Sequence, residues 1–309
     1  MADALDTHGS LLRASAALGV GQPALTRALQ ELEEIAGTRL FERHARGVRP
    51  TEQGVVLIRL ARRVLAEIRR ADEALDGAPT TLAIGVLPVA AVGVLPGVLI
   101  RLQATQPALR LRITEGRMEE LLPLLAAREI DLIIGRLYAP AVPDAFTREA
   151  LWEEPISILA RAGHPVLRGR ATPTRLARHS LVLPTISQRV GQETDRLLTQ
   201  LGLSAEGALR TSSYGLIREL LLASDHIAVM PRSMMVGDLA RGALRVVALP
   251  VDAAPRPAGL VLPADPPPGP AVTAFVGALR AHLATLSRHM PKADTSARRN
   301  DKTARPARR

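Results

Sequence analysis

Four polar residues fall on one side of a helix that is predicted to begin near Pro23. They recur at helical spacing: Gln22, Thr26, Arg27 and Gln30. The other side carries apolar residues at the buried spacing: Leu25, Ala28, Leu29, Leu32 and Ala36. Gln and Arg can form paired hydrogen bonds with adenine and guanine edges, and Thr can reach a phosphate or a thymine methyl. The pattern therefore predicts a helix that reads the major groove of duplex DNA.

The flanking residues complete a helix-turn-helix with a basic wing. The preceding helix ends at Gly19-Val20-Gly21, which fits a tight turn. Its apolar residues are Leu11, Leu12, Ala14, Ala17 and Leu18. After the reading helix, Gly47 permits a turn within a cationic stretch in which Glu42 is the only acid. Candidate DNA contacts besides the reading face are Arg13, Pro23, Arg39, Arg43, Arg46 and Arg49.

A second group of candidates lies at predicted strand ends further along the chain. Ligands of two-lobed α/β proteins collect where strand ends and helix N-termini face a cleft, and those N–H groups favour anions. The candidates are Pro88, Val89, Glu115, Arg117, Arg136, Thr185, Ser187, Arg189 and Ser212. Arg136 and Arg189 are predicted to bind a ligand carboxylate through bidentate hydrogen bonds. Capping by Ser and Thr, and surface ion pairing by Arg, remain the alternative roles.

Catalytic motifs are absent from the sequence. It holds no HExxH, no GxSxG, no Walker loop and no GxGxxG after a strand. Its seven histidines show no metal-ligand spacing. We therefore predict a chain that is not an enzyme, with no metal site and no cofactor.

The helices and strands that must position the candidate DNA-binding and effector-binding residues are predicted from hydrophobic periodicity and from the Gly and Pro residues that interrupt it. Residues 51–76 form one uninterrupted run of helix formers that ends at Gly77-Ala78-Pro79. From Thr81 onward, short aliphatic strands alternate with helices, which predicts βαβ units and a mostly parallel sheet. The last strand and helix are expected to return to the first half of this region. The uncharged stretch of residues 81–100 is interrupted by Gly and Pro, so we predict a strand and a helix there, not a membrane span.

The long helix also carries a heptad-like stripe. Its members are Ile58, Ala61, Leu65, Ile68, Asp72 and Leu75. Such a stripe favours a helix pair between two subunits, and packing on its own domain is the alternative.

Charge is unevenly distributed along the 309 residues. Residues 1–77 hold eleven Arg and eleven acidic residues, whereas residues 291–309 hold seven basic residues and two acidic ones. The high overall charge is therefore not itself an argument for nucleic-acid binding, and the tail is predicted to be disordered. The absence of cysteine and of a signal-like start fits a cytoplasmic protein.

The string SLLRASAALGVGQPALTRALQELEEIAGTRLFERHARGVRPTEQG, residues 10–54, resembles the winged helix-turn-helix of LysR-type transcriptional regulators. The hallmarks are GQPALTRALQELE, GTRLFER and RPTEQG. The likeness extends to about Leu286 and implies a mixed α+β and α/β fold: a winged helix-turn-helix in residues 1–50, a linker helix in 51–78 and a two-lobed, periplasmic-binding-protein-like effector domain in 79–290. It places lobe I in residues 81–163 and 254–290 and lobe II in 164–253. The implied partners are promoter DNA, RNA polymerase, a small-molecule effector and further copies of the chain, as a homodimer or homotetramer.

The sequence departs from the family pattern in two places. Gly21 stands where the family has a serine that can cap the reading helix. The family's first helix should also begin well upstream of Ser10, so either the chain starts inside a longer product or this helix is short. We predict weaker operator binding than for an upstream-extended form.

Further motifs, GVLPVAAVGVLP, LAAREIDLIIGRL and LARAGHP, resemble a subgroup that regulates protocatechuate catabolism or sugar uptake. The effector is accordingly expected to be an organic acid or a sugar-derived metabolite. Two other functions remain open at this stage: a two-lobed solute-binding protein, and a nucleoid-type binder that acts by charge alone.

Overall fold

The computed structural model describes residues 1–44, 47–75, 80–137, 145–169, 171–186, 189–248, 256–265 and 267–286. Its N-terminal head and linker consist of α1 (Ala2–His8), α2 (Leu11–Leu18), α3 (Gln22–Ala36), β1 (Phe41–His44), β2 (Gly47–Pro50) and α4 (Glu52–Leu75). β1 and β2 pair as an antiparallel hairpin, which is the wing. The winged helix-turn-helix and the long linker helix are thus both present, as predicted.

Packing between the helices decides which apolar residues of the head are buried. Leu25 and Leu29 of α3 join Leu11 and Ala14 of α2 in one core. Several residues assigned to the apolar faces by spacing are exposed instead: Leu12, Ala17, Leu18, Ala28 and Ala36. Helix α2 has only eight residues. It is apolar on most sides, so its neighbours and not its periodicity select the buried face.

Helix α1 is seven residues long and lies against α2, α4 and the wing. Leu5 is completely buried, and the Arg62 guanidinium of α4 pairs with the carboxylates of Asp3 and Asp6. At the end of α1, the carbonyl of Gly9 accepts a hydrogen bond from the Val48 N–H at 2.9 Å. This short helix therefore covers the head core and also contacts the wing.

The first lobe is a five-stranded sheet with the order β4-β3-β5-β12-β6. Its strands are β3 (Thr81–Val86), β4 (Arg110–Glu115), β5 (Leu132–Arg136), β6 (Phe146–Glu153) and β12 (Pro257–Pro263). β3, β4 and β5 are parallel, whereas β12 runs antiparallel to both β5 and β6. The helices of this lobe are α5 (Pro88–Gly93), α6 (Leu95–Thr105), α7 (Met118–Ala126) and α12 (Pro270–Thr285). The single helix expected after β3 is thus divided in two at Val94.

The second lobe has the strand order β11-β7-β10-β8-β9. Its strands are β7 (Ile156–Arg161), β8 (Leu181–Pro184), β9 (Leu209–Thr211), β10 (Ile227–Pro231) and β11 (Leu244–Val247). Its helices are α8 (Pro173–Leu176), α9 (Arg189–Gln200), α10 (Tyr214–Ala223) and α11 (Val236–Ala240), with 3₁₀ turns at Pro165–Leu167 and Arg232–Met235. Both sheets are sandwiched between apolar clusters on their two faces. Together the lobes form the two-lobed α/β domain that the family resemblance implied.

The chain leaves the first lobe between β6 and β7 and returns to it at β12. The expected end of the first part of lobe I at residue 163 is therefore too late, because β7 pairs with β10 and β11 in the second lobe. In the part of the chain that is described, no helix is long and apolar enough to cross a membrane. The predicted basic tail, residues 291–309, lies outside the described residues.

Candidate functional site

The reading face of α3 projects away from the head core. Gln22, Arg27 and Gln30 are exposed, whereas Leu25 and Leu29 on the opposite side are buried. Thr26 is half-buried, and its hydroxyl donates a hydrogen bond to the Gln22 carbonyl at 3.0 Å. Its oxygen can still accept a hydrogen bond, and its methyl can still contact a base. Pro23 is exposed in the first turn of α3, and no side-chain hydrogen bond caps that helix at Gly21.

Cationic residues are exposed on three segments that adjoin α3 along the chain. Arg13 on α2, Arg39 after α3, and Arg43 and Arg49 on the wing are all exposed. Arg46 lies outside the described residues. In the hairpin register Glu42 faces Arg49 directly, so the wing's one acid sits opposite one of its cations. The arrangement suits phosphate contacts on both sides of a groove that holds α3.

The linker helix presents an apolar stripe that differs from the predicted heptad. Ile58 is buried in the core of its own head, and Leu65 and Ile68 are half-exposed. Among the described side chains of α4, the exposed large apolar ones are those of Val55, Val56, Leu60, Val64, Leu65 and Ile68. Val56, Leu60, Val64 and Ile68 follow each other at intervals of four residues and therefore share one side of the helix. Side chains of Asp72 and Leu75 lie outside the described residues.

A cleft of about 610 Å³ lies between the two lobes. Five of the predicted effector-binding residues line it: Pro88, Val89, Arg117, Arg136 and Arg189. Glu115 at the end of β4, Thr185 after β8 and Ser212 after β9 are not among its described lining residues. Ser187 lies outside the described residues. The cleft has an apolar part formed by Leu87, Val89, Met118 and Val190, and Tyr214 is its only described aromatic.

Sequence reasoning missed the charged face of α9. Gln192, Glu193 and Arg196 line the cleft beside Arg189, at intervals of three, four and seven residues from it. That spacing is one face of a helix, and it was readable from the sequence. The alternation of strands and helices did not by itself place the start of this helix at Arg189, so the face was not recognised.

Arg136 is held by acids of the chain and is 1% exposed. Its Nε donates to Oε2 of Glu154 at 2.8 Å, its Nη2 donates to the Glu154 carbonyl, and its Nη1 donates to Glu193. The buried Glu154 also accepts a hydrogen bond from the Trp152 indole at 3.0 Å. Burial raises the pKa of Glu154, although Arg136 and Trp152 oppose the shift. The Arg136 guanidinium was predicted to bind a ligand carboxylate, but its donors are occupied by Glu154 and Glu193 of the protein itself. Arg136 instead joins β5 to α9 and to the segment between β6 and β7.

Two other cleft arginines are paired with acids at the surface. Nη2 of Arg189 lies 3.0 Å from Oε1 of Glu119 on the opposite lobe. Arg117 occupies the N-cap position of α7, and the Glu120 carboxylate accepts hydrogen bonds from its main-chain N–H and from its guanidinium. These hydrogen bonds lower the pKa of Glu120. Among the described residues, Arg196 is the one cleft arginine without a carboxylate partner.

Metal chemistry finds no support in the described part of the chain. No group of three or more His, Asp or Glu side chains there could hold a metal ion. The lining charges of the cleft, four arginines and two glutamates, instead favour an anion.

Comparison with known proteins identifies the family of the head and of the two-lobed domain. Residues 2–55 match the family described as "Bacterial regulatory helix-turn-helix protein, lysR family", and residues 76–284 match the "LysR substrate binding domain". The chain belongs to the LysR family of transcriptional regulators. The LysR-type resemblance and the two-part fold are thereby confirmed, and the chain is a DNA-binding transcriptional regulator with a small-molecule effector domain.

Curated relatives of this LysR-type regulator are about 30% identical to it over most of its length. The HTH-type transcriptional regulator PcaQ of Agrobacterium fabrum is 30% identical over 278 residues, which is 88% of this chain and 89% of PcaQ. GbpR of Azospirillum brasilense is 29% identical over 303 residues, 95% of this chain and 89% of GbpR. These relatives are named as transcriptional regulators.

Solved structures show the same fold at lower identity. A full-length OxyR variant from Pseudomonas aeruginosa superposes with a TM-score of 0.66 at 22% identity, covering 96% of both chains. Full-length CbnR complexed with its target DNA gives a TM-score of 0.58 at 19% identity, covering 91% of this chain and 97% of CbnR.

Proposed function

We propose that α3 enters the major groove and that Gln22, Arg27 and Gln30 contact base edges there. The observation that carries this proposal is their joint exposure on one side of α3, opposite the buried Leu25 and Leu29. Thr26 would contribute through its methyl and its remaining acceptor capacity. Arg43 and Arg49 would contact phosphates on the wing side, which fixes the register of α3 without reading sequence.

The regulator is proposed to work as a homodimer that is paired through α4, with two dimers joining as a tetramer. Support comes from the stripe of Val56, Leu60, Val64 and Ile68, whose side chains are about half exposed in the single chain. A helix in a soluble protein rarely leaves such a stripe in water, because burying it against a second copy is favourable. Pairing would place two copies of α3 on half-sites separated by about one helical turn of DNA or a multiple of it.

The dimer is tested by analytical ultracentrifugation of Leu60→Glu/Val64→Glu beside Leu12→Glu. Leu12 is an exposed leucine that belongs to α2 and not to the linker helix, and so serves as a matched control. We expect the double variant to dissociate at concentrations at which the wild type and Leu12→Glu remain associated. A double variant that sediments as the wild type does would exclude this face of α4.

The effector is proposed to be an organic anion that binds in the cleft between the lobes. Support comes from the excess of arginine in the lining, from the unpaired Arg196 and from the aliphatic walls. An organic acid or an acidic sugar derivative fits these features, and the scarcity of aromatic walls disfavours a ligand held by stacking. Assignment to the protocatechuate or sugar-uptake subgroup stays a prediction.

Family membership supports a proposal about where the protein acts and what it meets there. We propose that it acts in the cytoplasm, where it meets promoter DNA and RNA polymerase, and that it catalyses no reaction. Effector binding can alter DNA binding only if it favours one quaternary arrangement over another. A nuclease footprint of the DNA upstream of its own gene and the neighbouring operon, with and without that operon's metabolites, tests the whole proposal. A footprint that changes with one acidic metabolite is expected, and the absence of any footprint in low salt would contradict it.

A further inference from the structure

The side chain of Glu33 connects the reading helix to the wing. One oxygen, Oε1, accepts hydrogen bonds from the main-chain N–H of Leu40 at 2.8 Å and of Phe41 at 3.0 Å. The main-chain oxygen of the same residue accepts from the Thr38 N–H at 3.3 Å. Glu33 therefore holds three of the amides that lead from the end of α3 into β1.

The segment that Glu33 holds is the base of the wing. Leu40 and Phe41 are buried in the head core, and β1 begins at Phe41. The other end of the hairpin is fixed by Thr51, whose hydroxyl donates to the Arg39 carbonyl at 2.8 Å and whose N–H donates to the Leu40 carbonyl. A change at Glu33 would therefore move the start of β1, and with it Arg43 and Arg49.

We infer that Glu33 is a positioning residue for DNA binding: it sets the wing relative to α3 so that both engage the same duplex. This inference rests on the DNA contacts proposed above. Its carboxylate faces main-chain amides and not a DNA partner. By charge alone a carboxylate in the DNA-reading head repels phosphates, so removing an acid without a positioning role should strengthen binding. The inference predicts the opposite sign for Glu33.

The chain offers matched variants for a test. Glu33→Ala removes the charge and both hydrogen bonds, whereas Glu33→Gln removes the charge and keeps an oxygen where Oε1 stands. Because both amides donate to that one oxygen, the glutamine can keep both hydrogen bonds. Glu34→Ala removes an acid from the exposed neighbouring position of the same helix. The probe is a short duplex of mixed sequence, because wing contacts with phosphates do not need an operator.

Binding of the full chain to this duplex is measured by fluorescence anisotropy between about 50 and 200 mM salt. Each phosphate contact contributes about 0.9 to the slope of log affinity against log salt. We expect Glu33→Ala to bind several-fold more weakly, with a slope reduced by about one to two contacts. Glu33→Gln should keep the wild-type slope, and Glu34→Ala should bind as tightly as the wild type or more tightly.

A double-mutant cycle separates positioning from loss of structure. In an Arg43→Ala/Arg46→Ala/Arg49→Ala background the wing has no arginine left to position, so Glu33→Ala should cause little further loss. A further loss as large as in the wild-type background would mean that the whole head is damaged and would overturn the inference. Glu33→Ala behaving like Glu34→Ala would also overturn it. Failure of the wild type to bind any duplex would instead contradict the DNA contacts themselves.

Discussion

Arg189 and Glu119 form an ion pair that bridges the two lobes across the mouth of the cleft. The nitrogen Nη2 lies 3.0 Å from Oε1, and the side chains are 50% and 61% exposed. An ion pair this exposed contributes at most about 1 kcal/mol to stability. The ion pair matters for ligand binding, because an anionic ligand that binds Nη2 of Arg189 competes with Glu119 for that nitrogen.

Glu119→Gln is therefore expected to tighten the binding of a carboxylate effector, whereas Arg189→Ala should weaken it more than about tenfold, a loss of about 1.4 kcal/mol. Isothermal titration calorimetry with the metabolite that alters the footprint measures both. Glu219→Gln changes the net charge equally but removes a carboxylate that pairs with Arg218 outside the cleft lining, so it should leave the affinity unchanged. Weaker binding to Glu119→Gln would show that the pair is not in competition with the ligand.

Arg136→Met is expected to destabilise the effector domain by about 3–5 kcal/mol. It leaves the fully buried Glu154 without its cation, and the cost of an unpaired buried charge exceeds that of a lost surface pair. Urea denaturation gives the free energy of unfolding. Arg161→Met, which breaks a surface pair with Asp225, is the control and should cost less than about 1 kcal/mol. Equal losses from both variants would contradict the burial argument.

Gly54→Ala and Gly277→Ala should change stability in opposite directions, although both residues are helical. A Cβ on Gly54 would lie 2.0 Å from the Leu40 carbonyl oxygen, and a Cβ on Gly277 would meet nothing within 4 Å. The first change should cost about 1–3 kcal/mol or more, and the second should gain about 0.5–1 kcal/mol. Differential scanning calorimetry of each variant measures the shift. A Gly54→Ala head as stable as the wild type would mean that α4 and the wing pack less closely than described.

Asp238 gives a pH-dependent prediction. Arg218 donates two hydrogen bonds to its carboxylate, at 2.7 and 2.8 Å, and Arg241 donates a third, so the pKa of Asp238 is lowered from 3.8. A lowered folded-state pKa means that the charged form stabilises the native protein above the unfolded-state pKa. The stability difference between the wild type and Asp238→Asn should be complete above about pH 5 and shrink as the pH falls below 3.8. A difference that is constant from pH 6 down to about pH 3 would contradict this account.

Local periodicity was sufficient to predict the reading face. Gln22, Arg27 and Gln30 lie outward because Leu25 and Leu29 on the opposite side are buried. The spacing of residues within α3 alone determines which side is exposed. The same reasoning failed for Leu12 and Leu18, since the buried side of a short apolar helix is chosen by its neighbours.

Contacts between distant segments could not be predicted in this way. Arg136 is of a residue type that binds ligand carboxylates, but its actual partners are Glu154 and Glu193, which are 18 and 57 residues away along the chain. β6 and β7 were not predicted as strands. β6 pairs with β12 in the first lobe and β7 pairs with β10 in the second, so the chain passes between the lobes where β6 ends and β7 begins. Only the folded sheet brings these segments together.

Selection of binding sites from a randomised duplex library tests the central claim, the reading of DNA by α3, most directly. Wild-type protein should enrich a sequence of paired half-sites and prefer it over unrelated duplex by at least about a thousandfold at physiological salt. Arg27→Ala/Gln30→Ala should lose most of that preference while still binding DNA in low salt, because the wing cations remain. Enrichment of the same sequence with the same preference by the double variant would contradict the claim that this face of α3 reads DNA.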